Sequence, residues 1–216
     1  AKPDAAEEDA AEPAAEAKQG YEQLPVDENL KKTINVITPM LMSGRFNGQQ
    51  QVFDDFYQKY LLARWTDPRN LTNLPSLRKE LRTSHLGRRS AGTEVHDHLN
   101  TLVLDFMKKL VSGNYHPAVQ VNAMLMIGEL NQVESSPTTP LPAALETMLQ
   151  AVGDAKMPNA VRAAAMVGIA RHAVAKTGND DARRALTTAM LKLAAQDIPE
   201  DAAQDVHEWM LGQALE

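Results

Sequence analysis

The side chains most able to do chemistry in this 216-residue chain are six histidines, several paired acids and one strongly basic segment. Glu94-Val95-His96-Asp97-His98 is the densest cluster. Alternating histidines bind a metal ion from an extended strand. On a helix, at about 100° per residue, His96 and His98 point about 200° apart and cannot share one ion. Val95, Leu99, Leu102, Val103, Phe106 and Leu110 make a helical stripe here, so a solvated helix start is expected, with Glu94 and Asp97 favourable at its N-terminus. His116 precedes Pro117, His172 falls late in a helical stretch and His207 lies beside Trp209. None has a partner at the spacing of His-Glu-x-x-His, so no metal and no cofactor is expected. Asp54-Asp55 and Asp180-Asp181 are adjacent acids, which diverge on a helix. They read as surface charges, not as a general acid and base. Ser43-Gly44-Arg45-Phe46-Asn47-Gly48 lacks the Lys-Ser/Thr of a phosphate-binding loop, and no Gly-x-Ser-x-Gly elbow occurs.

Residues 64–89 carry Arg64, Arg69, Arg78, Lys79, Arg82, Arg88 and Arg89 against Asp67 and Glu80, a net of +5. Arg78, Lys79, Arg82, Arg88 and Arg89 are therefore candidate anion ligands, for phosphate, nucleic acid or an acidic protein segment. No aromatics are interleaved, so stacking on single-stranded bases is not suggested. A solvated helix face, or an intramolecular partner for the acidic N-terminus, explains the same residues. Residues 1–28 hold Lys2 and Lys18 against nine acids, a net of −7, and the whole chain carries −6. The body without that tail is close to neutral, which does not indicate general nucleic-acid binding.

Composition limits the elements that can position these groups. The chain is 44% apolar but only 5% aromatic, and Ala and Met are abundant. That mix suits closely packed helices better than sheets. The absence of Cys excludes disulfides, thiolate zinc sites and iron–sulfur clusters. No run reaches the about 18 apolar residues of a membrane span. Residues 1–26 are expected to be a disordered acidic tail, since the stretch up to Gly20 has no large apolar residue to offset its ordering entropy. The start at Ala1, the lack of Cys and the acidic tail fit an exported or periplasmic protein, with a cytoplasmic one as the alternative.

Asp27 can cap a helix to about Met42 with Leu30, Ile34, Ile37 and Leu41 on one face and Pro39 near its end. A second helix to about Trp65 presents Phe53, Phe56, Tyr57, Tyr60 and Leu61, so 27–65 reads as an αα-hairpin. Residues 66–93 read as an irregular basic connector in which Pro75 to Leu86 forms one short helix. Thr93 is an N-cap for the next helix. Six helices in three pairs are then expected at about 94–112, 117–132, 141–152, 158–176, 180–196 and 200–215, with no strand.

The second half repeats itself. Val121-Asn122-Ala123-Met124-Leu125-Met126-Ile127-Gly128 matches Val161-Arg162-Ala163-Ala164-Ala165-Met166-Val167-Gly168 at an offset of 40 residues, and Met210-Leu211-Gly212 is a fainter third copy. A glycine inside a helix costs about 1 kcal/mol against Ala, so Gly128, Gly168 and Gly212 suggest a place where backbones approach closely. With His116-Pro117-Ala118-Val119 and Met157-Pro158-Asn159-Ala160-Val161-Arg162, residues 94–216 resemble the HEAT-repeat family. The match departs at Asn122, which replaces the family's Arg, and at Lys156, where an Asp is usual. The resemblance implies an all-α solenoid of about three helix pairs, with the 27–65 hairpin covering one end. It implies a non-catalytic module that binds a protein partner through polar positions on the second helix of each pair. Those positions are Asn122, Glu129, Arg162, His172 and Lys176. Nucleic-acid or polyanion binding through 77–89 is the alternative, and an all-helical metal protein or enzyme the second.

Overall fold

A computed structural model describes residues 20–87, 93–175, 180–195 and 204–215. The acidic tail up to residue 19, Arg88, Arg89 and Lys176 lie outside the described residues. The protein is all-α apart from one small hairpin. Asp27 opens the first helix as the sequence predicts, its carboxylate accepting from Asn29 N at 3.0 Å. A 3-10 turn over Glu28–Thr33 leads into α1 (Ile34–Ser43). Gly44 ends α1 in the left-handed region, φ 69°, which suits a residue without Cβ. α2 (Gln50–Asp55) widens over Phe56–Leu61 and ends in a 3-10 turn over Ala63–Thr66. Its aromatic stripe is buried throughout. Phe53 and Tyr57 pack with ring centroids 4.6 Å apart and planes tilted by 48°, and Tyr57 Oη shares a 2.8 Å hydrogen bond with the buried His85 Nδ1. That cluster packs the hairpin onto the rest of the core.

The 66–93 connector contains the short helix expected from Pro75 to Leu86, preceded by a further helical turn. Its described part holds a 3-10 turn over Pro68–Asn73, α3 (Leu74–Glu80) and a wider continuation over Leu81–Leu86. Leu74, Leu77, Leu81, His85 and Leu86 are buried, so this basic stretch is an amphipathic helix fixed by its apolar face. Thr93 caps α4 (Glu94–Ser112) through His96 N. Pro117 starts α5 (Pro117–Glu129), where its missing N–H costs nothing. The expected loop after α5 holds a strand pair instead: β1 (Asn131–Val133) pairs antiparallel with β2 (Thr139–Pro140). The chain continues through α6 (Pro142–Gly153), α7 (Asn159–Val174), α8 (Asp180–Ala194) and α9 (Gln204–Leu215).

α5 lies at the centre, packed on α3, α4, α6 and α7. α7 packs in turn on α9, and α6 on α8. The two repeat glycines meet where α5 and α7 touch. A Cβ on Gly128 would stand 2.9 Å from Gly168 Cα, and one on Gly168 would stand 2.9 Å from Gly128 Cα and run into Met148 Sδ. Gly212 does not share this role, since among the described residues nothing lies within 4 Å of a Cβ there. Like positions therefore meet at the α5–α7 contact.

Candidate functional site

Where α3, α4, α5, the β-hairpin and α7 converge, charged and polar side chains form one network. α3 contributes Arg78, whose Nη1 donates to Asn122 Oδ1 at 3.0 Å and whose Nε pairs with Glu129 at 3.1 Å. One turn on, Arg82 forks onto Glu134, 3.1 Å to Oε1 and 2.6 Å to Oε2. Asn131 Nδ2 donates to Glu134 Oε2 at 2.9 Å, and His96 Nε2 stands 3.6 Å from Oε1. Burial pushes the Glu134 pKa up, but the bonds from His96, Asn131 and Arg82 together outweigh it and hold the carboxyl below its usual range. Asn100 donates to Asn131 O at 2.9 Å, while its own buried Oδ1 has no partner among the described residues.

α7 closes the network with Arg171. Its guanidinium donates to Gly128 O at 2.8 Å, to Leu130 O at 3.5 Å and to Asn131 Oδ1. These contacts satisfy carbonyls that the end of α5 leaves without helical partners. Burial, then the positive charge of Arg82, lowers the Arg171 pKa.

The two groups of residues proposed from sequence thus satisfy each other. Asn122 and Glu129, expected to face a protein partner, are bound by Arg78, expected to face an anion. Arg82 is held by Glu134. Lys79 is exposed. Arg162 and His172 do not face a partner either, being 5% and 1% exposed. Arg162 Nε donates to Val152 O at 3.1 Å and Nη1 to Asn159 Oδ1 at 3.3 Å, joining α7 to the end of α6. Among the described residues neither ring nitrogen of His172 has a hydrogen-bond partner. Burial, and then the charge of Arg171, pushes its pKa down to about 4.

The paired histidines separate as the helix geometry requires, but His96 is buried at 1% exposure rather than solvated. His98 Nε2 meets Asp54 Oδ1 at 2.6 Å instead. His116 caps α5, its Nδ1 accepting from Ala118 N at 3.1 Å. Among the described residues no group of three His, Cys, Asp or Glu is placed to hold a metal ion, and no helix is long and apolar enough to cross a membrane.

Sequence reasoning does not single out Glu134, Asn131 or Arg171. One signal is present: Asn131 and Arg171 are 40 residues apart, the repeat offset carried three residues beyond its glycines. Two surface features remain. A groove of about 360 Å³ between α4, α5 and α6 has Val111, Met124 and Ala151 at its apolar base and Lys108, Thr147, Gln150 and Asp154 along it. On α7, Ala160, Val167, Ala170 and Val174 form an exposed apolar stripe in which Val167 is 51% and Val174 86% exposed. Compared with known proteins, the chain is matched by no family model, no curated relative and no solved structure.

Proposed function

We propose that this chain is a non-catalytic, HEAT-like helical-repeat module that binds a protein partner through the outward face of α7. The observation that carries this reading is the apolar stripe of Ala160, Val167, Ala170 and Val174 on the second helix of a pair. Helix-on-helix pairs, with α5 against α7 and α7 against α9, support a repeat architecture. Polar residues bury their own partners inside the junction, whereas this stripe offers water nothing but methyl groups. Exposed apolar surface of this kind marks interaction sites.

A polyanion reading draws less support. Arg78 and Arg82 are already neutralised by Glu129 and Glu134, which leaves Lys79 as the exposed cation of α3.

Affinity capture with cross-linking from a native extract tests both. Wild type is compared with the Val167→Glu/Val174→Glu double variant and with Lys79→Glu, at two salt concentrations. A protein cross-linked through α7, retained by Lys79→Glu and lost from the double variant, is the expected result. Equal recovery by all three rejects the α7 face. Recovery of nucleic acid that falls steeply with salt and is lost in Lys79→Glu would promote the polyanion reading.

A further inference from the structure

Glu134 is gripped by more donors than a surface carboxylate needs. Both of its oxygens are taken by the Arg82 fork, with the Asn131 amide and the His96 ring beside them. Its side chain is 6% exposed. Yet the residue is carried by a connection, 134–138, whose other four residues are exposed. The donors belong to fixed elements: the helix continuing α3, the start of α4, and β1. Donors on secondary-structure elements thus receive a carboxylate carried by the connection between β1 and β2.

The charges around it do not balance. Arg78 has Glu129 and Arg82 has Glu134. Among the described residues Arg171 donates only to the uncharged oxygens of Gly128, Leu130 and Asn131; beyond the cost of burial it feels the like charge of Arg82 and, more weakly, the opposite charges of Glu134 and Glu129 across space. Three guanidinium groups therefore stand against two carboxylates, and of these only Glu134 is buried, between Arg82 and Arg171. Water reaches the edge of the cluster, since the Arg78 and Arg82 side chains are 22% and 23% exposed.

We propose that Arg82, His96, Asn131 and Arg171 form a site for a phosphate group, free or as a monoester, and that Glu134 is its built-in occupant, displaced when the hairpin tip turns outward. A dianion compensates both arginines where Glu134 compensates one, and its extra oxygens suit guanidinium, imidazole and amide donors together. No bond is made or broken in the exchange. Glu134 is tethered, so it competes at an effective concentration of order millimolar or higher. The native chain therefore takes phosphate weakly, and only to the extent that the open state binds it better than the closed one. This site is separate from the α7 face, and either can fail without the other.

The test is calorimetric titration with inorganic phosphate above about pH 7, where the dianion is well populated. Chloride and acetate at matched ionic strength are the controls. Proteins compared are wild type, Glu134→Ala, Glu134→Gln and the double variant Arg82→Ala/Glu134→Ala, each checked for helicity. Removing the tethered carboxylate is expected to tighten phosphate binding at least about tenfold, and removing Arg82 as well to abolish it. In wild type, high phosphate is expected to speed amide exchange at Val133–Thr138. Three results overturn the proposal: single variants that bind phosphate no more tightly than wild type, acetate bound as tightly as phosphate, or undiminished binding in the double variant. Should the single variants fail to fold, wild-type exchange decides: a hairpin unchanged at high phosphate overturns it equally.

Discussion

Helices α5 and α7 carry the same motif in register and end in different circumstances. Among the half-exposed positions of α5 are Asn122, Leu125 and Glu129; their equivalents on α7, Arg162, Ala165 and Ile169, are buried. On α7 the exposed Val167 corresponds to Ile127, which is fully buried. At about 100° per residue, the two outward stripes lie roughly half a turn apart in the motif. The Gly128–Gly168 contact explains this, because like positions that face each other turn their opposite sides outward. An internal repeat establishes that two helices are alike, but the packing between them decides which side of each meets water. α5 commits its outward polar groups to α3. Among the described residues α7 has no such neighbour along its apolar stripe.

The largest effect should come from breaking the polar junction that covers α5. Glu134→Ala leaves Arg82 partly buried without its carboxylate. Removing one partner of a buried pair costs about 3–5 kcal/mol, and the 23% exposure of Arg82 places the cost here nearer about 3 kcal/mol. Denaturant unfolding measures it. A loss below about 1 kcal/mol would mean that the junction contributes little to holding α3 on α5. The folded carboxyl titrates below its usual range, so its contribution is complete above the unfolded pKa. It fades only as pH falls through the lower folded value.

The glycine contact is next. Gly168→Ala drives a Cβ into Met148 Sδ and to 2.9 Å from the Gly128 backbone. Overpacking of this kind costs about 1–3 kcal/mol, only partly offset by the about 1 kcal/mol of added helix propensity. Gly212→Ala meets nothing within 4 Å among the described residues, so only the propensity gain of about 1 kcal/mol or less remains. Opposite signs for the two variants in thermal unfolding would establish that the repeat glycines are not interchangeable. A stabilising Gly168→Ala would dissolve the like-to-like contact.

His172 adds a pH dependence on the α7 side of the comparison. Its folded pKa, about 4, lies below the ordinary 6.5. Between those values the unfolded chain binds the extra proton and the folded one does not, so stability falls as pH falls from about 6.5 towards 4. His172→Leu removes that proton site. Between pH 7 and pH 4.5 it should lose about 1–2 kcal/mol less stability than wild type. Parallel stability curves for the two proteins would mean that the imidazole reaches solvent.

Much of this is legible in the sequence. The Asp27 and Thr93 caps, Pro117 in a first turn and the aromatic stripe from Phe53 to Leu61 are local signals, and local signals survive folding. The β-hairpin is not legible, because two or three residues per strand give no alternation to detect. The basic segment reads as free charge because its carboxylates are distant in sequence: Arg78 finds Glu129, and Arg82 finds Glu134. Helical periodicity places Arg78 on a face but does not say what faces it. His96 escapes the sequence for the same reason, since a polar residue at a helix start is buried here by a hairpin more than 30 residues further along.

The smallest effect is expected at Val174, and it bears directly on the comparison. The residue is 86% exposed, so almost none of its apolar area is removed from water on folding. Val174→Glu should change unfolding free energy by no more than about 0.5 kcal/mol, as do most surface substitutions. The same charge placed at buried Ile127, the α5 equivalent of Val167, would abolish folding, because an unpaired carboxylate there has no donor. Val167→Glu lies between these, at 51% exposure, and should cost less than about 1 kcal/mol. A cost of several kcal/mol at Val174 would mean that the stripe is covered in solution. Near-neutral values at both valines, beside collapse at Ile127, would fix the outward side of α7 as the face that folding leaves uncovered.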